Sequence, residues 1–596
     1  MSRKRRLLSV KEALEYMQEL SENESEDENY DHDLFSEEYA PSSNEECESS
    51  DDNLSVDFAT QFDNDTNHLS DNQCVTSKAR GKKRKTKSPN ITLKLKENEE
   101  IFGIDGSKWK IISSETNDCG RISQHNVCKE ACGPTSYAKR NIDDEFASSS
   151  WRLIINESML RHIKMCTEEE AHRQLGNNDW TLKLEEIDAF IAILYARGLY
   201  CAKGLELDSL WSTIWGPPFF RETMARDRFR DILRFLRFDQ KTTRSERLKT
   251  DKFCLISKIW YMFTENSINC YKPGPYITVD EQLFPTKARC KFTQYMPNKP
   301  DKFGIKFWIA ADADTKYIVN GFPYLGKDKN RPTNQNLCEY VVLNLIKPFE
   351  NKGRNVTTDN YFTTLNLAKI LKEKKTSLIG TVKRNRREVP TIVKKMKTPL
   401  HETTLLKHDD ITMTVYQGKQ KKNVILLSSL HPTVHIGTNN KKMLPETVSF
   451  YNTTKCGVDV ADQMARKYTV KAGSRRWPVH VFYNILDLAG INSWILYKQA
   501  TGKNISRKEF LQQLVEELRA TYISTKRKRT YPGILQSRNL ATLTPGSEKN
   551  MSVVPKRVRC HVPKCNNKTV DNCFDCKNPM CGKCIKCIKR SCVNCV

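Results

Sequence analysis

The chain has 596 residues, too many for a single hydrophobic core, and this length predicts about three to five domains. Its 97 Lys and Arg outnumber its 72 Asp and Glu, and the net charge of +25 favours nucleic acid as a partner over a basic protein without a polyanion. No apolar run approaches the roughly 20 residues that span a bilayer, and Met1–Arg6 lacks the apolar stretch of a secretory signal, so neither a membrane protein nor a secreted one is expected.

Residues 1–100 are predicted to form a disordered acidic region. From Ser21 to Asp71 the chain is rich in Ser, Asn, Asp and Glu and has few large apolar residues, so burial cannot offset the loss of chain entropy. Basic clusters at 3–6 and 82–85 flank this acidic tract. Each cluster is either a nuclear import signal or a solvated charge run.

Order is expected to begin near Phe102, with Trp109 as an early anchor. Apolar residues at helical spacing predict amphipathic helices over 182–200 and 252–268. A helix that ends near Phe238 has an Arg-rich outer face, which either contacts phosphates or is simply solvated. The arginines of this face are Arg226, Arg228, Arg230, Arg234 and Arg237.

Two apolar strands each lead into a carboxylate. A β-branched and aromatic run over 276–279 precedes Asp280, and 355–358 precedes Asp359. An Asp at the end of an apolar strand is costly unless it lies exposed at a sheet edge or binds a cation. Such residues usually belong to turns or caps when they are considered singly. Two further acids, Asp459 and Asp462, lie three residues apart at a predicted helix start and share one helical face, so the set suggests a divalent-metal nuclease site.

The elements between these acids follow a known order. Strands are predicted over 305–311, 316–324 and 377–382, and helices over 337–350 and 365–372. Strand with Asp, hairpin, helix, strand with Asp, helix and strand is the order of an RNase H-like α/β core. Basic segments and short strand-like pieces at 412–417 and 424–428 then predict an insertion before the last acidic helix. Two strong helices, over 479–497 and 510–522, and a linker follow.

The carboxylates suit metal-dependent cleavage of a phosphodiester. Two Mg²⁺ ions roughly 3.5–4 Å apart can activate the nucleophile and stabilise the leaving oxygen, and Mg²⁺ prefers hard oxygen ligands. Asp280 is expected to bridge both ions, with Asp359 on one and Asp459 on the other. Asp462 is expected to be a fourth ligand or to support the site from outside the metal shell.

Basic and aromatic residues near the acids are candidates for DNA contact. Lys383, Arg384, Arg386 and Arg387 follow a core strand, where they can grip phosphates. Trp477, beside Arg475 and Arg476, either stacks on an unpaired base or anchors the start of the next helix in the core. The remaining candidates, Asn298 and Lys299, lie in a basic loop and are expected to contact target DNA.

The C-terminal tail reads as a zinc domain. Of 21 cysteines, nine lie between Cys560 and Cys595, and eight of them form four close pairs. The pairs are Cys560 and Cys565, Cys573 and Cys576, Cys581 and Cys584, Cys592 and Cys595. Two tetrahedral Zn²⁺ sites are expected, with pairs one and three on one ion and pairs two and four on the other, in preference to a disulfide knot. His561 and Cys587 are left over, and either can replace a weaker ligand.

Several blocks resemble the signature segments of piggyBac-type DNA transposases. The main ones are 277–283, 357–362 and 457–464, and others keep the same order at 295–300, 302–306, 320–326, 386–390 and 476–478. The resemblance runs from about Trp109 to the C-terminus. Two departures are Cys456, where Gly is frequent, and Cys584, where the third cysteine pair often ends in His.

The resemblance implies an activity and a site. It implies cut-and-paste transposition at TTAA targets through hairpin ends, by a nuclear homodimer that grips terminal inverted repeats. Asp280, Asp359 and Asp459 are then the acidic triad, and the cysteine-rich tail docks on the repeats. One alternative is a domesticated, catalytically silent DNA-binding protein with the same fold. Another is a chromatin-binding module centred on the tail, comparable to a PHD finger.

The implied fold class is α/β, with an RNase H-like catalytic core, an insertion, a split helical domain and a small zinc-binding domain. Residues 101–270 and 465–535 are the two halves of the helical dimerisation and DNA-binding domain. The core comprises 271–385 and 449–464, and the insertion is 386–448. Residues 536–557 are the linker and 558–596 the cysteine-rich domain.

Overall fold

The computed structural model describes most of the chain after residue 98. The described ranges are 99–113, 127–297, 299–326, 331–332, 335–396, 398–420, 422–437, 442–530, 558–569, 572 and 578–584. Several predictions lie outside them: those for residues 1–98, Asn298, the linker, and Cys573, Cys576, Cys587, Cys592 and Cys595. The chain forms two compact units that divide between Arg527 and Lys528.

A helical layer precedes the central sheet. It comprises helices α1 Ser136–Asn141, α2 Ala147–Ile154, α3 Glu157–Leu175, α4 Leu184–Leu199, α5 Leu207–Trp211, α6 Pro218–Thr223, α7 Arg226–Phe235, α8 Arg244–Thr250 and α9 Ser257–Cys270. Helix α4 is buried along almost its whole length, which agrees with the apolar spacing over 182–200. Among the described helices, none combines the length and the apolar composition needed to cross a membrane.

The centre of the sheet has the strand order of an RNase H-like core. Its strands are β5 Tyr276–Pro285, β7 Phe303–Asp312, β8 Ile318–Pro323, β9 Asn355–Thr358 and β10 Ser377–Thr381. Strand β7 pairs antiparallel with β5 and β8, while β9 pairs parallel with both β5 and β10. Parallel neighbours need crossover connections, and helices α10 Leu337–Ile346 and α11 Leu365–Glu373 supply them.

Three strands from the segment predicted to be an insertion continue this sheet. Strands β11 Thr403–His408, β12 Ile411–Lys419 and β13 Lys422–Ser428 form an antiparallel meander whose β13 pairs with β10. On its far side β11 pairs with β2 Lys108–Ile112, and β2 with β1 Glu100–Phe102. Trp109 is fully buried and its indole N–H donates to the carbonyl of Glu388 at 2.9 Å, which confirms its role as an anchor.

Four further helices follow strand β13 in the described part of the chain. These are α13 Glu446–Thr454, α14 Gly457–Lys467, α15 Trp477–Thr501 and α16 Arg507–Thr530, and the short α12 Thr391–Lys395 lies before β11. Helix α15 is buried for most of its 25 residues. The small strands β3 Gly133–Pro134 and β4 Tyr271–Lys272 pair with each other, and β6 Thr293–Tyr295 pairs with β7.

One expectation about the core is corrected. Strand β5 does not end at Val279 but continues through Asp280 to Pro285, so Asp280 lies within a strand. The polar residues after Val279 remain in the sheet because the whole segment pairs with β7, Asp280 opposite Ile309. Strand β9, by contrast, ends at Thr358 immediately before Asp359, as predicted.

The C-terminal unit contains a small hairpin. Strands β14 Val558–Arg559 and β15 Lys568–Thr569 pair antiparallel. Among the described residues of this unit, Met580 is fully buried, against Val562 and Cys584. A core of that size needs a cross-link or a metal to hold it together.

Candidate active site

The parallel pairing of β5 and β9 brings two carboxylates to the same level. Val279 is in register with Thr358, and the next residues along the two strands are Asp280 and Asp359. Each carboxylate also accepts a nearby backbone N–H, from Glu281 at 2.8 Å and from Tyr361 at 2.9 Å respectively. The sheet therefore places side by side two acids that are 79 positions apart in sequence.

Helix α14 adds the third acid. A row of threonines holds the junction between α13 and α14 against both acidic strands: Thr278 donates to the carbonyl of Thr454 at 2.6 Å, and Thr357 donates to its hydroxyl at 2.8 Å. Asp459 lies in the first turn of α14 and is exposed. These threonines were not singled out from the sequence, because buried Thr in a strand usually signals only β propensity.

Gly457→Ala is expected to disturb this junction. A Cβ at Gly457 would lie 2.4 Å from the hydroxyl of Thr278 and 2.8 Å from its Cβ, so α14 would have to move away from β5. We expect a loss of roughly 1–3 kcal/mol in the free energy of unfolding, measured by urea titration. Gly473→Ala is the matched control, since nothing lies within 4 Å of its added Cβ. Equal stability of the two variants would contradict the prediction.

The acids repel one another in a poorly solvated place. Burial first, then the charges of Glu281, Asp359 and Asp459, hold the pKa of Asp280 well above its ordinary value. Burial and the charge of Glu281 likewise raise the pKa of Asp359 to about 6. Such crowding of carboxylates is relieved by a bound cation or by a shared proton.

Lys299 supplies part of the positive charge that offsets these carboxylates. Burial disfavours its ammonium group, but four nearby carboxylates outweigh that effect and raise its pKa. They belong to Asp280, Glu281, Asp459 and Asp462. Lys299, which the sequence indicated as a DNA contact, is therefore within electrostatic range of the acids of the site.

Two residues of the site were missed in the sequence. Glu281 is the charged group with the largest effect on the pKa of both strand acids, and it pairs with Lys306 at 3.8 Å. The ammonium of Lys306 lies 4.0 Å from the ring centre of Trp308 and 5.5 Å from that of Tyr361. The signal for Glu281 was its adjacency to Asp280, since two consecutive acids within an apolar strand need an explanation.

Asp462 lies one helical turn after Asp459 and is already occupied by protein groups. Its Oδ1 accepts the amide of Gln282 at 3.0 Å, and its Oδ2 accepts the guanidinium of Arg466 at 2.9 Å. Both oxygens are therefore used within the protein. This arrangement favours a supporting role over that of a fourth metal ligand, the two alternatives raised by the sequence.

The donor set suits a hard divalent cation. The carboxylates of Asp280, Asp359 and Asp459 interact electrostatically and provide only oxygen ligands, the chemistry that Mg²⁺ prefers. They do not form a closed cage, since no three acidic groups among the described residues have ligand oxygens all within 4.8 Å of one another. An open arrangement of few protein ligands is usual for Mg²⁺, which keeps several waters or substrate oxygens.

A solved structure and a family model both match this chain. A solved piggyBac transposase, in a synaptic complex with hairpin DNA, superposes with a TM-score of 0.64 at 31% identity, covering 78% of this chain and all of that one. The chain belongs to the piggyBac transposase family. In agreement, the sequence profile described as Transposase IS4 matches residues 147–494. The family implies divalent-metal chemistry on DNA.

Human piggyBac relatives are more distant. PiggyBac transposable element-derived protein 3 of Homo sapiens is 25% identical over 395 residues, which are 61% of this chain and 62% of that protein. PiggyBac transposable element-derived protein 2 of Homo sapiens is 23% identical over 376 residues, 58% of this chain and 61% of the relative. The chain thus spans less than two thirds of these human proteins.

The basic segment after β10 borders the acids of this piggyBac core. Lys383 lies 5.4 Å from the ring centre of Tyr361, and its charge lowers the pKa of Asp359 against the larger effect of burial. Arg386 donates to the carbonyl of Tyr361 at 3.0 Å, and Arg384 to that of Lys394. Lys383, Arg384 and Arg387 are exposed. The segment therefore presents cations next to Asp359.

Trp477 and Arg476 are built into the protein. Trp477 stacks on Phe253 at 5.7 Å and meets Phe292 edge-on at 5.0 Å. Arg476 donates to backbone carbonyls at the end of α7, among them that of Leu236 at 2.8 Å. This packing favours the anchor alternative for Trp477, while Arg475 is exposed.

The Arg-rich face of α7 is largely paired with protein carboxylates. Arg228 bonds Glu186 at 2.9 Å, Arg230 bonds Asp208 at 2.6 Å, and Arg237, just beyond the helix, bonds Glu170 at 2.7 Å. Pairing of this kind lowers the charge available to phosphates. The structure favours the solvated-face alternative over a phosphate-contacting helix.

Four cysteines of the C-terminal unit converge. Within the described residues, the sulfurs of Cys560, Cys565, Cys581 and Cys584 all lie within 4.8 Å of one another. Two of the separations are 3.6 and 3.7 Å, close to the spacing of about 3.8 Å between ligands of a tetrahedral zinc thiolate. The amide of Asn567 lowers the pKa of the Cys581 thiol to about 6. These are pairs one and three of the tail, and the cluster can bind a metal.

Proposed function

We propose that this chain is a cut-and-paste DNA transposase. It excises an element that carries terminal inverted repeats through hairpin ends, and it inserts the element at TTAA. The observation that carries the proposal is the placement of Asp280 and Asp359 at one level of the sheet, with Asp459 on α14, in a chain 31% identical to a piggyBac transposase solved with hairpin DNA.

Asp280, Asp359 and Asp459 would hold the catalytic metal, two Mg²⁺ ions per site. When bound, such ions supply Lewis-acid stabilisation of the attacking and leaving oxygens of a phosphodiester. Burial and the charge of Glu281, which raise the pKa of Asp359 to about 6, are consistent with a carboxylate that binds a cation here. The protein would position these metal ligands. The row of threonines would hold α14 in place, and Asp462 would support the site from outside the metal shell.

The basic residues would bind the DNA strands. Lys299, whose pKa the acids of the site raise, would contact the phosphate to be cleaved, and the exposed cations after β10 would hold phosphates beside it. The helical parts, 101–270 and 465–535, would contact the terminal repeats and form a homodimer. The tail 558–596, with two Zn²⁺ ions, would dock on the repeats, and the basic clusters before residue 100 would direct the protein to the nucleus.

An excision assay tests the proposal. The genomic sequences that flank the gene are cloned around a marker, and the full chain is supplied in the same cells. Excision that restores a single TTAA is expected with the wild-type chain and not with Asp280→Ala or Asp359→Ala. Equal excision with all three proteins would contradict the proposed role of the acids.

The second candidate is a catalytically silent DNA-binding protein derived from a transposase. It is favoured by the human relatives, whose names describe them as transposable element-derived. It predicts binding to the flanking repeats, measured by gel shift, without cleavage in Mg²⁺ or Mn²⁺. Cleavage of the same repeats by purified protein would exclude it.

A further inference from the structure

Arg466 joins two parts of the site that are far apart in sequence. Its guanidinium donates from Nε to Asp462 at 2.9 Å and from Nη1 to Asp301 at 2.9 Å. Asp462 belongs to α14, whereas Asp301 precedes β7 by two residues. A planar guanidinium can serve two carboxylates at once with fixed geometry, which an ammonium group cannot do.

The α14 end of this bridge is anchored in the core. Asp462 also accepts the amide of Gln282, and the carbonyl oxygen of Gln282 accepts the amide of Asn484 at 2.8 Å. Gln282 and Asn484 are buried. Helix α14 is thus tied to β5, two residues beyond Asp280, and to α15.

The Asp301 end lies in the segment 299–302, which holds Lys299. This segment is drawn into a turn, because the amide of Met296 donates to the carbonyl of Lys302 at 2.8 Å and the amide of Lys299 donates to that of Met296 at 3.2 Å. Lys299 is half-buried and electrostatically coupled to the acids of the site. The position of the Lys299 ammonium therefore depends on the position of segment 299–302.

We propose that Arg466 is a positioning residue that docks segment 299–302 on α14 and so holds Lys299 against the acidic triad. The bridge fixes the position of segment 299–302 and contributes little to the stability of the fold. The side chains of Arg466 and Asp301 are 32% and 42% exposed, and ion pairs so exposed contribute about 0–1 kcal/mol. The role in catalysis rests on the proposed function, whereas the docking itself does not.

The docking is tested by the chemical reactivity of Lys299. The metal-free full chain is treated with an amine-reactive acetyl ester, and acetylation of Lys299 is followed by mass spectrometry. Arg466→Gln and Asp301→Asn are each expected to speed acetylation of Lys299 by about threefold or more, while the melting temperature stays nearly constant. Arg161→Gln is the matched control, because Arg161 also pairs with an acid four residues away on an exposed helix face. An unchanged rate in both bridge variants would overturn the docking.

Cleavage kinetics test the consequence. Arg466→Gln is expected to lower kcat for cleavage of a repeat-end oligonucleotide by about tenfold with little change in KM, and Arg466→Lys is expected to restore only part of it. In a Lys299→Gln background the same substitution should cost less than twofold, since the group that it positions is gone. Full additivity of the two substitutions would overturn the proposal. If the wild-type chain fails to cleave while Lys299 still becomes reactive in the variants, the proposed function is wrong and the docking stands.

Discussion

Replacing Asp359 with Asn is expected to abolish strand cleavage and, at the same time, to stabilise the metal-free protein. The Asn side chain keeps an oxygen for the backbone amide of Tyr361, which lies 2.9 Å from the native carboxylate. It loses the charge that a metal needs. We expect cleavage to fall by at least about 10³-fold, as for other groups that act on the reacting atoms.

The gain in stability follows from the pKa of Asp359. Folding raises this pKa from an ordinary 3.8 to about 6, so the ionised carboxylate opposes the folded state by an amount on the order of 2–3 kcal/mol at neutral pH. Below pH 6 the folded protein takes up a proton that the unfolded chain does not bind, and the disadvantage shrinks until pH 4. Asn removes the disadvantage at every pH. The variant should therefore exceed the wild type in melting temperature at pH 8 and by less at pH 5.

Both measurements are made on the full chain. Melting is followed in EDTA at pH 5 and pH 8, and cleavage of a repeat-end oligonucleotide is followed in Mg²⁺. Asp410→Asn is the matched control, because Asp410 is an exposed acid whose pairing with Lys372 lowers its pKa. The control should cleave normally and melt no higher than the wild type. A destabilised Asp359→Asn protein at pH 8 would show that the acids of the site are already neutralised.

Loss of one zinc ion is the second large effect expected. Cys581 lies between two other sulfurs of the cluster, at 3.6 Å from Cys565 and 3.7 Å from Cys584. Cys581→Ser should lower the zinc content of the purified chain from two ions to about one, because a structural zinc site needs four ligands. The hairpin of this unit should then unfold, since its core is small, and binding to the terminal repeats should fall by about tenfold.

The pairing of the cysteines makes this test sharper. If Cys565 and Cys581 serve one ion, the double variant Cys565→Ser, Cys581→Ser also loses one ion. If instead pairs one and two bound one ion and pairs three and four bound the other, the double variant would lose both ions, because Cys565 belongs to pair one and Cys581 to pair three. Zinc is measured by mass spectrometry of the metal after gel filtration. Cys201→Ser, at an exposed free cysteine, is the control and should keep both ions.

Local patterns were sufficient for the strands of the core. β9 runs over the same four residues that the β-branched sequence predicted, and the alternation of acidic strands with helices gave the right order. The continuation of β5 could not be predicted, because Asp280, Glu281 and Gln282 look like the end of a strand. Their polarity is satisfied by distant partners, such as Asn484 for Gln282 and Lys306 for Glu281.

Distance along the chain explains the other gaps. The role of Trp477 depends on Phe253, which lies more than 200 positions earlier, so composition alone left two alternatives open. Strand β11 was not predicted, since its sequence has few strong strand formers and it is held by pairing with β12 and β2. Local patterns indicated that Asp280 and Asp359 follow strands and that Asp459 starts a helix, and the family resemblance implied that the three act together. The involvement of Glu281 needed the folded geometry.

The N-terminal hairpin β1–β2 has a consequence for how the protein is made and handled. It covers the outer edge of β11 and also supports the basic segment, through Ile104 to the carbonyl of Arg387 and Trp109 to that of Glu388. These partners emerge from the ribosome nearly 300 residues after the hairpin, so the hairpin cannot complete its pairing until they have been synthesised. A shortened protein that begins after residue 113 would expose the edge of β11 to self-association, whereas one that begins before residue 99 would keep β11 paired with β2.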